Sequence, residues 1–165
     1  MAKASTPAKK IISKKAPAAA VKKKADEKGA IGIKYSDKSA GQPQLVPIFE
    51  EIKKMLLPYE KGNLKVRGGT GGEIAVVNET ELIIDGKVRK EMWFAAALVQ
   101  KGYVGFYLVS AYTDQGIKKT IKPELMKCLK GKSCFHIKKF DKEIFAQIKE
   151  ALAIGHEHYK KKGWA

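Results

Sequence analysis

The stretch Glu91–Ala111 limits the folds open to this chain more than any other. Two apolar runs, Glu91–Gln100 and Tyr103–Ala111, flank Lys101-Gly102, a two-residue turn in which glycine supplies the positive φ that a tight hairpin needs. With that turn Gln100 faces Tyr103, and the pairing steps outward to Leu98–Gly105, Ala96–Tyr107 and Phe94–Val109 on one face. The other face pairs Val99–Val104, Ala97–Phe106, Ala95–Leu108 and Trp93–Ser110. Both faces are apolar, so the hairpin belongs in the middle of a sheet, covered on both sides. Small residues oppose large ones, Ala96 against Tyr107 and Ala97 against Phe106. Size-matched packing explains this; the alternative is a pocket under Tyr107 with Phe94 and Ala96 in its lining.

The flanking segments supply the remaining elements. Leu45, Phe49, Ile52, Met55 and Leu56 recur at helical spacing and predict an amphipathic helix of about three turns. Pro47 suits its first turn, and Pro58 with Gly62 marks its end. Strands follow at Leu64–Arg67, Glu73–Val77 and Glu81–Ile84, the last closed by an Asp85-Gly86 hairpin turn. Downstream, Pro123 and Glu124 open a short helix for which Gly131 is the expected C-terminal cap. Ser133–Ile137 reads as one more strand. Asp141 caps a final helix whose stripe is Ile144, Ile148, Leu152 and Tyr159, with Phe145 beside it. Strands come in a run instead of alternating with helices, so the class is α+β. The expected architecture is a two-layer sandwich: an antiparallel sheet of about five or six strands, with N- and C-terminal helices packing on it.

This domain is expected over residues 42–165, preceded by a tail at 1–41. Residues 1–40 hold eleven lysines and three acids, +8 of a total of +16, in a setting of Ala, Pro and Ser. Such a composition buries too little apolar surface to offset chain entropy and predicts a disordered tail. Lysines bound Ala16–Val21 on both sides and leave no apolar core of the usual length, which argues against a secretory signal, and the tail's lack of arginine argues against a mitochondrial presequence. No apolar run approaches the roughly 18 residues of a membrane span. Cys128 and Cys134 are too few for a disulfide scaffold and lack metal-ligand spacing, which fits a reducing, cytoplasmic setting. The lysine runs Lys9-Lys10, Lys14-Lys15 and Lys22-Lys23-Lys24 point to nucleic acid or another polyanion, bound through counterion release; the alternative is a tail that only solubilises.

Motifs of catalysis and metal binding find little support. Gly68–Gly72 joins two strands, with no following helix to aim amides at a phosphate. Gly131-Lys132-Ser133 resembles the end of a P-loop, but Met126 stands where its first glycine belongs. His156 and His158 diverge by about 200° on a helix, too far for one ion to take both. His136 reads as a structural histidine on a strand. Cys134 shares that strand with it, but no third group is placed to orient a nucleophile–base pair.

Lys90-Glu-Met-Trp-Phe-Ala, Lys101-Gly-Tyr-Val-Gly-Phe-Tyr-Leu, Pro123-Glu-Leu and Gly131-Lys-Ser-Cys-Phe-His-Ile occur in an order that resembles the YdhG-like family of bacterial domains of unknown function. The resemblance spans roughly residues 45–161. It implies a frataxin-like fold and, for members labelled intracellular iron chaperones, iron as a cofactor or cargo. In this chain it places iron at Glu50 and Glu51 on the first helix, with Glu73 on the sheet. The expected role is therefore a non-enzymatic intracellular binding domain, with nucleic-acid association through the tail and iron chaperoning as the alternatives.

Overall fold

The computed structural model describes residues 37–84 and 86–165, so the tail lysines Lys9, Lys10, Lys14, Lys15, Lys22, Lys23 and Lys24 lie outside the described residues. Tertiary contacts begin ahead of the expected boundary at Gln42. The Lys38 amide donates to the Gly71 carbonyl at 2.8 Å, and the Lys38 ammonium pairs with Glu73. A 3-10 turn at Pro43–Leu45 leads into helix α1 (Val46–Leu56), which a second turn at Leu57–Tyr59 closes. Strands β1 (Leu64–Gly68) and β2 (Glu73–Asn78) form a hairpin. A separate two-stranded ribbon, β3 (Leu82–Ile84) with β4 (Lys87–Arg89), follows. Then come β5 (Met92–Gln100), β6 (Tyr103–Leu108), three short helices α2 (Ser110–Thr113), α3 (Gln115–Thr120) and α4 (Pro123–Lys127), strands β7 (Leu129–Lys130) and β8 (Cys134–Ile137), and the long helix α5 (Lys142–Lys161).

The fold is α+β. Six antiparallel strands lie in the order β1-β2-β5-β6-β8-β7, with the expected β5–β6 hairpin at the centre. Its register is the anticipated one from Ala95 opposite Leu108 to Gln100 opposite Tyr103. The main core fills the helix-facing side: Ile48, Phe49 and Ile52 of α1 and Phe145, Ile148 and Leu152 of α5 meet Ile74, Val76, Ala97 and Phe106 of the sheet. A smaller cluster on the opposite side joins Ala75, Val77, Ala96 and Leu98 beneath Trp93 and Tyr107.

One register shift overturns part of the strand reading. Val76 pairs with Ala95 and Val77 with Trp93, so β2 skips Phe94. This is a β-bulge, and the extra residue reverses the alternation of side chains upstream of it. Phe94 therefore turns to the helices, fully buried, along with Ala95, and Trp93 moves to the opposite face with Ala96. The residues of the alternative pocket, Phe94, Ala96 and Tyr107, are thus divided: Phe94 lies on the other side of the sheet from its two companions.

Three further segments differ from expectation. The second arm of the hairpin ends at Leu108, not Ala111, and α2 begins at Ser110. Asp114 then caps α3 by accepting from the amides of Gly116 and Ile117. Gly131, at φ 79°, is the turn of a short β7–β8 hairpin and not the cap of α4, which has already ended at Lys127.

Helix α5 docks through close contacts. Asp141 accepts from the amides of Glu143 and Ile144 at its start. The Gln147 side chain accepts from the Leu125 amide at 2.9 Å, satisfying one first-turn donor of α4. Near the other end the Tyr159 hydroxyl donates to the Trp93 carbonyl at 2.6 Å. Between them Gly155 lets the helix approach Ser110. A Cβ there would stand 2.6 Å from Ser110 Oγ and 3.3 Å from Leu108 Cδ1, and that hydroxyl is buried with no hydrogen-bond partner among the described residues. Gly155→Ala should therefore destabilise the fold by about 1–3 kcal/mol, against the gain of about 1 kcal/mol that alanine brings to a helix. Ser110→Ala should be neutral or stabilising and should shrink the cost of Gly155→Ala in the double variant. Urea unfolding of the four proteins checks this; a Gly155→Ala that gains stability on its own would show that the approach is not tight.

Candidate functional site

The metal expectation finds its residues apart. Glu50 and Glu51 lie on α1, within 3.3 Å of Lys53 and 3.5 Å of Lys54 respectively. Glu73 is buried on β2 against the Lys38 ammonium. Among the described residues no group of three or more His, Cys, Asp and Glu side chains could hold a metal ion, so Glu50, Glu51 and Glu73 do not form one. Cys128 and Cys134 are free thiols, and burial pushes both up from the ordinary value, so neither is activated as a thiolate.

Basic side chains gather instead at the β7–β8 edge. A cleft of about 360 Å³ is walled by Lys127 at the end of α4, Lys130 on β7, His136 on β8, Lys138 and Lys139 in the following loop, and Asp141 and Ile144 where α5 begins. The hairpin brings these together, because the Gly131 turn folds β7 back on β8 and sets Lys130 opposite Cys134. Lys127 pairs with Glu124 at 2.5 Å. Lys130, Lys138 and Lys139 meet no carboxylate at ion-pair distance among the described residues, and Asp141 is occupied with the two α5 amides. Three cations thus share one concave surface whose wall holds a single carboxylate, Asp141, none of them at ion-pair distance from a described acid.

His136 joins this cleft to the sheet. Its ring stacks on Tyr103 with centroids 3.8 Å apart and planes within 14°. Directly opposite it on β6 is Gly105, whose missing side chain leaves room for the Tyr107 ring; a Cβ there would meet Tyr107 Cε2 at 3.0 Å. Tyr103, Tyr107 and His136 are all half-buried. Burial lowers the His136 imidazole below its usual value, and the positive charges of Lys130 and Lys138 lower it further.

A larger cleft, about 580 Å³, lies elsewhere, between the β3–β4 ribbon and the C-terminal part of α5. Two of its polar groups are committed within the fold: Asp114 caps α3, and its second oxygen lies 3.5 Å from His158 Nδ1. It therefore offers less to a ligand than the lysine cleft does.

No family model, no curated protein and no solved structure matches the chain. Among the described residues no helix is long and apolar enough to cross a membrane. Sequence reading singled out His136 but not its partners. The run Lys138-Lys139 was visible, but the two-residue strand that carries Lys130 to it was not.

The charge arrangement has a measurable consequence. Replacing Lys130 and Lys138 by Gln should raise the His136 pKa toward the usual value of about 6.5, because two cations no longer oppose its protonation. An NMR titration of the imidazole Cε1–H signal reads this directly; an unchanged midpoint would place the lysines away from the ring. His156, packed against Tyr59 and Phe94, is also lowered, chiefly by burial. For both histidines the unfolded chain takes the proton first. Their contribution to stability is thus complete above about pH 6.5, falls as pH drops through that value, and levels off below the folded pKa.

Proposed function

We propose that this chain is a non-enzymatic, cytoplasmic binding domain of the YdhG-like type that associates with nucleic acid through its lysines. The observation that carries the reading is the cleft in which Lys130, Lys138 and Lys139 stand together without carboxylate partners among the described residues, on a chain of net charge +16. Phosphates that replace the mobile counterions of such lysines release those ions, and the entropy gained drives binding with little sequence preference. The lysine runs at Lys9-Lys10, Lys14-Lys15 and Lys22-Lys23-Lys24 add to the same attraction. A binding role is favoured over catalysis because the cleft's reactive groups are held in quiet states: burial raises the Cys128 thiol, and His136 is lowered and stacked. Iron chaperoning rests on the resemblance alone, since Glu50, Glu51 and Glu73 do not converge.

A mobility-shift titration of the full chain at two salt concentrations tests the reading. Affinity should fall steeply with salt. Each phosphate contact removed by Lys130→Gln, Lys138→Gln or Lys139→Gln should lower the log–log slope by about 0.9 on duplex DNA or about 0.7 on a single strand. Exchanging the seven lysines of these three runs for Gln should lower it separately. Failure of the unaltered chain to shift either DNA or RNA at low salt would end the nucleic-acid reading.

A further inference from the structure

We infer that the nucleic acid this domain prefers is single-stranded, with an unpaired base laid on the Tyr103–His136 rings while the adjoining phosphates enter the lysine cleft. The inference rests on the nucleic-acid reading and narrows it. Lysines alone draw any polyanion, duplex or single strand. What separates the two is access to base faces: in a duplex they are covered by their neighbours, and only an unpaired base offers one to a protein ring.

The sheet carries such a platform. Tyr103 and Tyr107 flank Gly105 on β6, and side chains two apart on a strand share a face. His136 stands opposite Gly105 on β8, so three rings border one residue without a side chain. The Tyr103 and His136 rings are nearly parallel at 3.8 Å, and both keep part of their surface in solvent. They are mounted on the paired strands β6 and β8 and stack on each other, so their orientation is fixed before a ligand arrives and little freedom is lost on binding. The same His136 lines the lysine cleft, with Lys130 and Lys138 near enough to act on its proton. A π surface beside unpaired cations complements a base beside its phosphate. An acidic protein would match the lysines but not the ring platform.

The test uses the full chain and fluorescence anisotropy with labelled oligo(dT), oligo(U) and a mixed-sequence duplex. Each strand is about 12 nucleotides, within the range that such binding faces cover. Both single strands should bind more tightly than the duplex at the same salt. Tyr103→Ala should weaken single-strand binding about ten-fold or more, the usual effect of removing a stacking ring, and should leave duplex binding and the salt slope unchanged. Tyr103→Phe should retain wild-type affinity. A difference between oligo(dT) and oligo(U) would assign the preference to DNA or RNA.

Should Tyr103→Ala disturb the sheet, an experiment on the unaltered protein replaces it. The His136 ring signals should shift upfield on addition of either single strand and stay in place with duplex. Equal affinity for duplex and single strand, full affinity in Tyr103→Ala, or unmoved His136 signals would overturn the inference. If the lysine variants still weaken binding, the broader nucleic-acid reading survives. If no oligonucleotide binds at all, both readings fall together.

Discussion

The extra residue at Phe94 is the constraint on which the packing of this domain depends. By interrupting the pairing of β2 with β5, it places Phe94 and Ala95 on the same side of the sheet. Phe94 then stands within 5.2 Å of Tyr59, 5.1 Å of Tyr159 and 5.9 Å of His156, ring centre to ring centre, joining the end of α1 to α5. The carbonyls beside the bulge are used as well: that of Trp93 accepts from the Tyr159 hydroxyl, and that of Phe94 from the Val109 amide. In a regular strand Phe94 would face away from both helices. Their aromatic contacts would lose their centre, and Trp93 would take its place in a space shaped for a smaller ring.

That constraint also explains which parts of the fold could be read in advance. Elements governed by local chemistry were legible: the Lys101-Gly102 turn set the β5–β6 register, Asp141 marked the start of α5, and of the stripe Ile144, Ile148, Leu152 and Tyr159 the last three are buried with Phe145 beside them, Ile144 being half-buried. The bulge was not legible, since Trp93-Phe94-Ala95-Ala96 alternates equally well in either phase and only the demand of distant Tyr59 and Tyr159 selects one. The end of β6 was misread for a similar reason. Val109-Ser110-Ala111 has strand-like composition, but Ser110 and Ala111 are needed against α5, where Gly155 makes room for them.

The candidate site was less visible because it is assembled by pairing. Lys130 and Lys138 are eight positions apart, with a glycine turn and a strand between them. A helix capped at Gly131 would have carried Lys130 away from β8; the two-residue β7 instead returns it to the edge of the sheet. Too short for any periodicity, that strand left no trace in the composition. Tyr103 and His136 were each assigned to a strand, but their stacking requires β8 to lie beside β6 in one register, with Val104 opposite Ile137. Gly105 is the one local hint, a glycine in a buried strand where a side chain would otherwise be expected.

Why the lysine edge differs from the other edge of the same sheet follows from how each cation is neutralised. Arg67 on β1 points to the face that carries Ala75, and it donates to Glu79 and Glu91 at 2.8 Å each, contacts that raise its already high pKa. With two carboxylates at hand, it attracts few counterions and has little to release to an incoming phosphate. These bonds tie β1 to the segments flanking the β3–β4 ribbon, and being half exposed they add only modestly to stability. Across the sheet Lys130, Lys138 and Lys139 keep their counterions in solution, and the fold has already brought them together. A phosphate arriving there therefore gains the released ions without paying to gather the charges. The two edges thus differ in how their cations are neutralised: Arg67 by two carboxylates of the fold, Lys130, Lys138 and Lys139 by solution ions.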